Sequence, residues 1–279
     1  MSVLIAALTC LAMGQVNTER LRLSPEGEGV TGSVTLALTG LTGNVDYFET
    51  AGSVGVAQRW GDNLLFGVIT SKYATKRKRA DRLAEPEGSL FDRDRRYTNA
   101  HLAAARYNRF FTEEVIGEVF VQAEYNQFLL LDLRALVGAG PRLAVFDQEH
   151  AQGWVGVAAM AELERLDPEE IAPDEQEQRL TPRATAYLTL SAQVAEGTSL
   201  STTSYYQPSL LGPGDYRVYN DTQLGLQVSE RLTWEILVTL RHDASPPRLA
   251  LAEGEDVPLR EQTLRSTDGQ IVNKLSLKF

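Results

Sequence analysis

Cysteine is almost missing from this chain. Cys10 is the single one in 279 residues, so no disulfide framework can form, and no Cys-x-x-Cys or Cys/His cluster suggests a structural metal. Long apolar runs are missing as well: none approaches the roughly 20 residues that a membrane-spanning helix needs. Basic residues are in deficit, 27 Lys and Arg against 37 Asp and Glu for a formal charge of −10, which leaves no basic face for nucleic acid. These absences leave a soluble domain or a transmembrane β-barrel, whose alternating strands average to soluble-looking hydropathy.

The compartment is read from the N-terminus. Val3 to Met13 is almost wholly apolar, and Ala12-Met13-Gly14 has the small-x-small form of a signal-peptidase site. We therefore expect a signal peptide over 1–14, a lead-in over 15–28 and a barrel over 29–279. Removal of the signal would also remove Cys10 and with it any thiol chemistry.

What the chain has in quantity is alternation. Val115, Gly117, Val119, Val121 and Ala123 are separated by Glu118, Gln122 and other side chains, and Leu232, Trp234, Ile236, Val238 and Leu240 by Thr233, Glu235 and Thr239. A period of two, with Gly, Thr and β-branched residues throughout, predicts two-faced strands rather than helices. About twelve are expected, over 29–41, 46–58, 63–74, 97–108, 114–127, 130–146, 153–164, 183–195, 199–207, 215–228, 232–243 and 267–279. Connections alternate in length: those at Trp60-Gly61-Asp62 and Glu196-Gly197-Thr198 are tight, whereas 75–96, 165–182 and 244–266 are long, polar and proline-bearing. Segregation of loop length by parity is expected when all even-numbered turns lie on one side of a membrane. The fold predicted is a single antiparallel transmembrane β-barrel.

The last strand ends on Phe279, preceded at alternate positions by Leu277 and Leu275. A terminal strand with one apolar face and a final aromatic resembles the signal that the barrel-assembly machinery reads, by adding an extended segment to an exposed sheet edge.

Several ordered pieces carry a further likeness: Gly40-Leu41-Thr42-Gly43-Asn44, Arg134 followed by Gly138-Ala139-Gly140, Tyr206-Gln207-Pro208-Ser209 before Asp215-Tyr216-Arg217, Arg241-His242-Asp243-Ala244-Ser245-Pro246-Pro247, and Phe279. Over most of its length the chain resembles a domain family of unknown function among the salt-induced outer-membrane proteins of Gram-negative bacteria. The resemblance implies a bacterial outer-membrane location and an envelope or salt-stress role, with an activity that is not established.

Lipid cannot satisfy backbone polar groups, so the sheet must close with its apolar face outward and its polar series inward. Glu118, Gln122, Glu124, Asp132, Arg134, Arg142, Arg183, Glu235 and Arg241 are the expected lumen-lining residues. Long side chains of both signs would bridge a twelve-stranded bore and plug it; a narrow channel for small ions or solutes is the alternative. Pro141 requires a bulge or kink, because a closed barrel has no free edge for it.

The long segments differ in charge. Lys72 to Arg96 holds nine basic and five acidic residues, whereas Arg165 to Thr181 holds six acidic and two basic ones. Lys76, Arg77, Lys78 and Arg79 are placed in an outer loop, where they would contact lipopolysaccharide phosphates; the plainer reading is that both segments are solvated loops pairing across the mouth. The acidic spacing matches no calcium loop, and no cofactor is expected. Trp60, Tyr107, Phe110, Phe111, Trp154, Tyr205 and Tyr206 are read as interfacial girdles. An outer-membrane lipid-modifying enzyme would need a Ser and a His in contact, for which His242 and Ser245 form the one near pair in sequence; the chain is therefore read as a non-enzyme.

Overall fold

The computed structural model describes residues 4–5, 28–42, 45–78, 96–229, 232–251 and 260–278. Every expected strand is present: β2 (Gly29–Leu41), β3 (Val45–Trp60), β4 (Asn63–Lys78), β5 (Arg96–Phe110), β6 (Val115–Asn126), β7 (Leu131–Gln148), β8 (Ala151–Leu166), β9 (Gln178–Ala195), β10 (Thr198–Pro208), β11 (Tyr216–Gln227), β12 (Leu232–Asp243) and β15 (Thr267–Lys278). Three short pieces add to them. β1 (Leu4–Ile5) lies against Leu277 and Lys278, and β13 (Arg248–Leu251) with β14 (Arg260–Thr263) forms a separate hairpin inside the last long connection. Apart from β1, each strand of the main sheet pairs antiparallel with its chain neighbour, with β12 passing directly to β15.

The described connections sort partly by end. Those at 61–62, 111–114, 149–150 and 196–197 are short and share one end, while 167–177 lies at the other together with the shorter 127–130 and 209–215 and the described parts of the connection from β12 to β15. At the long-loop end, two excursions pack on one another. Ile171 bridges to Leu249, the Ala172 amide donates to the Arg248 carbonyl at 2.9 Å, and Leu130, Leu131, Leu166 and Ile171 form an apolar cluster with Leu249 and Leu264 against it.

The sheet curls strongly. Neighbouring strands are about 4.8 Å apart, yet Tyr187 on β9 donates to Glu118 on β6, and Arg217 on β11 reaches Glu162 on β8 at 2.6 Å. Side chains three strands apart can meet only across a concave face. That face buries charge, whereas the convex one exposes hydrocarbon: Arg183 is 0% exposed and Glu124 1%, against 75% for Val34 and 52% for Val121. A water-soluble domain has the reverse distribution.

Pro141 is accommodated by a gap in the ladder. β6 pairs Gly117 with Pro141, but between Ala139 and Arg142 the β7–β8 ladder has no partners for Gly140 and Pro141. The missing proline N–H is thus set where no bond is made.

Candidate functional site

Among the described residues, two ion clusters on the concave face hold most of the expected inner-face residues, and Lys72 pairs with Glu49 at 3.2 Å apart from them. Near the short-turn end, Glu118 receives Tyr187 and lies 3.5 Å from Arg106 and 3.6 Å from Arg142, whose guanidinium sits 4.6 Å over the Trp154 ring. Tyr187, Tyr205 and Tyr219 continue from it as a ladder across β9, β10 and β11, with centroid spacings of 5.2 and 6.4 Å.

Toward the long-loop end the network is larger. Arg134 donates through Nε and Nη2 to Glu164 at 3.1 and 2.6 Å and lies 3.7 Å from Glu124. Arg217 donates to Glu162, Glu164 and Asp243 at 2.6, 2.8 and 2.9 Å. Arg183 donates to Glu162 at 2.9 Å and, through Nη2, to both carboxylate oxygens of Asp215 at 3.1 and 3.0 Å. Each guanidinium is forked between carboxylates of different elements, for Arg183 Glu162 on β8 and Asp215 in the connection before β11, a geometry that lysine cannot reproduce. Such a network fixes the relative positions of β6, β7, β8, β9, β11 and β12 on their inner side. Among the described residues no group of three or more His, Cys, Asp or Glu is arranged to hold a metal.

Of the residues expected on the inner face, Glu118, Gln122, Glu124, Arg134, Arg142 and Arg183 are buried there, and Glu235 is half-buried, accepting from Gln223 at 3.3 Å. Arg241 is on the same face of β12, opposite Tyr219 and Asp268. Asp132 does not join them. A bulge between Leu131 and Leu133 turns it out of register, and its carboxylate lies 3.6 Å from Arg165 at a partly exposed rim. Glu162, Glu164, Arg217 and Asp243 are not among the expected inner-face residues, although all occupy strand positions of inward parity and Arg217 and Asp243 belong to the pieces that carry the family resemblance. The available signal was charge placed opposite an apolar series.

The basic run needs correction. Lys76 and Arg77 lie within β4 rather than in a loop, because the β3–β4 hairpin continues through Tyr47–Lys76, Asp46–Arg77 and Val45–Lys78 pairs; Arg77 is buried. The Lys78 side chain and Arg79 fall outside the described residues. The acidic segment pairs with another partner: Arg248 donates to Asp174 at 2.8 Å and Glu175 at 3.2 Å. The hydrogen bond from Arg248 holds the Asp174 carboxyl below its ordinary value. For the terminal signal, Leu275 and Leu277 pair in register with Trp234 and Leu232, and Phe279 lies outside the described residues. The export segment does too, save for β1.

Aromatics divide between faces. Trp60, Phe111 and Tyr206 are exposed, with Tyr107 beside Trp60, but Tyr205 is buried, Trp154 meets Arg142 and Phe110 meets Arg59, so these three are not girdle residues. His242 does not engage Ser245. Its Nδ1 is 2.8 Å from the Thr267 hydroxyl. A Ser–His contact does occur where alternation gave no cue: Ser71 and His101, paired in register on β4 and β5, meet at 2.9 Å on the exposed face, with His101 stacked on Tyr125. No carboxylate is hydrogen-bonded to either member among the described residues, so the pair lacks the orienting acid of a hydrolytic triad.

Comparison with known proteins gives one family and, among solved structures, distant folds such as the two below. The sequence profile of a family described as "Protein of unknown function, DUF481" matches residues 34–251. No curated protein matches the chain. A NanC porin structure superposes with a TM-score of 0.42 at 8% identity, covering 90% of this chain and 98% of that one. A bacterial polysaccharide outer-membrane secretin superposes with a TM-score of 0.37 at 9% identity, covering 91% and 93%. Likeness at that distance carries no function across.

Proposed function

The chain belongs to the DUF481 family of proteins of unknown function, and we propose that it is a closed outer-membrane barrel of structural type, its bore blocked by buried ion pairs. The carrying observation is Arg217, which ties β11 to β8 through Glu162 and Glu164 and to β12 through Asp243. A guanidinium shared by three carboxylates across the concave face leaves that cross-section to side chains rather than to water. The exposed apolar convex face supports immersion in lipid, and the segregation of long loops to one end supports an orientation with that end outside. In this reading β2 and β15, the two long edge strands, meet to close the cylinder, since open edges do not persist in hydrocarbon. Lipid and lipopolysaccharide surround the barrel, and the assembly machinery handles β15. The envelope role under salt stress rests on the sequence resemblance.

Planar-bilayer recording of the refolded, full-length protein tests the proposal. Closed behaviour means no stepwise current across a range of salt concentrations; ion-selective steps from the unaltered protein would replace it with the narrow-channel reading.

A further inference from the structure

A second feature of the long-loop end is a cavity of about 230 Å³, set beside the ion network and bordered by the residues that flank the β13–β14 hairpin. Its wall is two-natured. Phe128, Leu131, Leu166, Pro247 and Leu264 supply hydrocarbon, carboxylates including Glu164, Glu175, Asp243 and Asp268 also line it, and guanidinium groups approach from β7, β11 and β12. Two of these, Arg134 and Arg217, spend their donors on Glu124, Glu162, Glu164 and Asp243. Arg241 differs. It is half-buried and lines the cavity, yet no hydrogen bond or ion pair engages it among the described residues; Glu124 and Asp268 act on it only at longer range. Arg265, exposed at the rim of the same cavity, is likewise unengaged.

A guanidinium carries five donors in a planar fork. Holding one at a half-buried site without an acceptor is costly unless water or a ligand supplies one. A carboxylate matches the Arg241 fork with two parallel bonds. The apolar wall then has to meet the body of the same molecule. Ligand sites commonly have this make-up, mostly hydrocarbon with a few placed polar groups. A cavity of about 150 Å³ accommodates benzene, so the space here admits one ring with its carboxylate.

We infer that this cavity binds a small monocyclic carboxylate, its anion on Arg241 and its ring against Phe128, Leu131, Leu166 and Leu264, with Arg265 guiding it in at the rim. The inference is independent of whether the bore conducts, because the cavity opens at the mouth.

The test uses the full-length protein refolded in detergent micelles, titrated calorimetrically with benzoate, benzyl alcohol and benzylamine, three probes of one ring and different charge. Saturable benzoate binding at least about tenfold tighter than benzyl alcohol is expected, with benzylamine weakest. Equal binding of benzoate and benzyl alcohol, or preference for benzylamine, would overturn the inference, the second because wall carboxylates would then dominate. These comparisons need no variant. Arg241→Gln should abolish the preference for benzoate while sparing benzyl alcohol, and Arg265→Gln should weaken benzoate less. A preference surviving Arg241→Gln at full strength would remove the anion from that site. If Arg241→Gln does not refold, the Arg265→Gln variant and the three-probe series decide the matter.

Discussion

Arginine, rather than lysine, holds the network at the long-loop end together because its acceptors belong to separate elements and must be reached at once. Arg217 donates to Glu162, Glu164 and Asp243 from three separate nitrogens, and Arg183 does the same between Glu162 and Asp215. A buried ion pair gains little over a well-packed apolar pair, but removing one partner strands the other in a poorly solvated place. Arg217→Met therefore leaves Glu162 and Glu164 short of a counter-charge, and we expect it to cost about 3–5 kcal/mol in urea unfolding followed in micelles. The same variant has a functional readout. Loss of the β8–β11 bridge should open the cross-section, so stepwise current is expected from Arg217→Met where the unaltered protein shows none. A variant that is destabilised yet stays silent would mean that something other than this network blocks the bore.

Strands pack here through glycine and aromatic pairs as well as through charge. Gly156 on β8 lies under the Tyr187 ring, where an added Cβ would be 2.2 Å from a ring carbon, and Gly138 lies under Phe120 at 2.4 Å. Tyr187 cannot easily swing aside, because its hydroxyl donates to Glu118 and its ring packs on Tyr205. Gly156→Ala should thus cost about 1–3 kcal/mol by overpacking. Combined with Tyr187→Ala the losses should be clearly less than additive, and additive losses would show that the ring is not what confines Gly156. At this scale the sequence was most legible, because one buried or lipid-facing side forces a period of two and any one-residue slip inverts both faces. All twelve long strands followed from that pattern. The misses have local causes. Asp132 leaves the inner face through a bulge that parity does not register, and Lys76 and Arg77 have the charge of loop residues while their backbones continue the ladder opposite Tyr47 and Asp46. Glu162 and Glu164 stood in a recognised strand, but what makes them part of a site is Arg217, three strands distant, and only curl brings these together. The β13–β14 hairpin is four residues a side, too short for alternation to rise above a polar loop.

Taken whole, the molecule is a protein turned inside out: Glu124, Glu162 and Arg183 are among its most buried side chains, while Val34, Leu36 and Ile271 are exposed to about 70%. In water such a convex face would be an aggregation surface far larger than monomeric proteins tolerate; in lipid it is the favourable one. The two environments give opposite expectations for a single charge. Val121 lies on the convex face of β6, 52% exposed, in register with Ala105 and Val137. At a water-exposed position Val121→Arg would change stability by no more than about 0.5 kcal/mol. On a lipid-facing strand near the bilayer midplane it should cost about 2–4 kcal/mol. Gln223→Arg, on the concave face of β11 beside Glu235, supplies the internal comparison: there the new cation gains a carboxylate and the expected loss is small. Unfolding in lipid vesicles, compared between these two variants and the unaltered chain, reads the difference directly. If Val121→Arg proves as harmless as Gln223→Arg, the convex face is not in contact with hydrocarbon, and the buried ion network would have to be explained as the interior of a protein that stays in water.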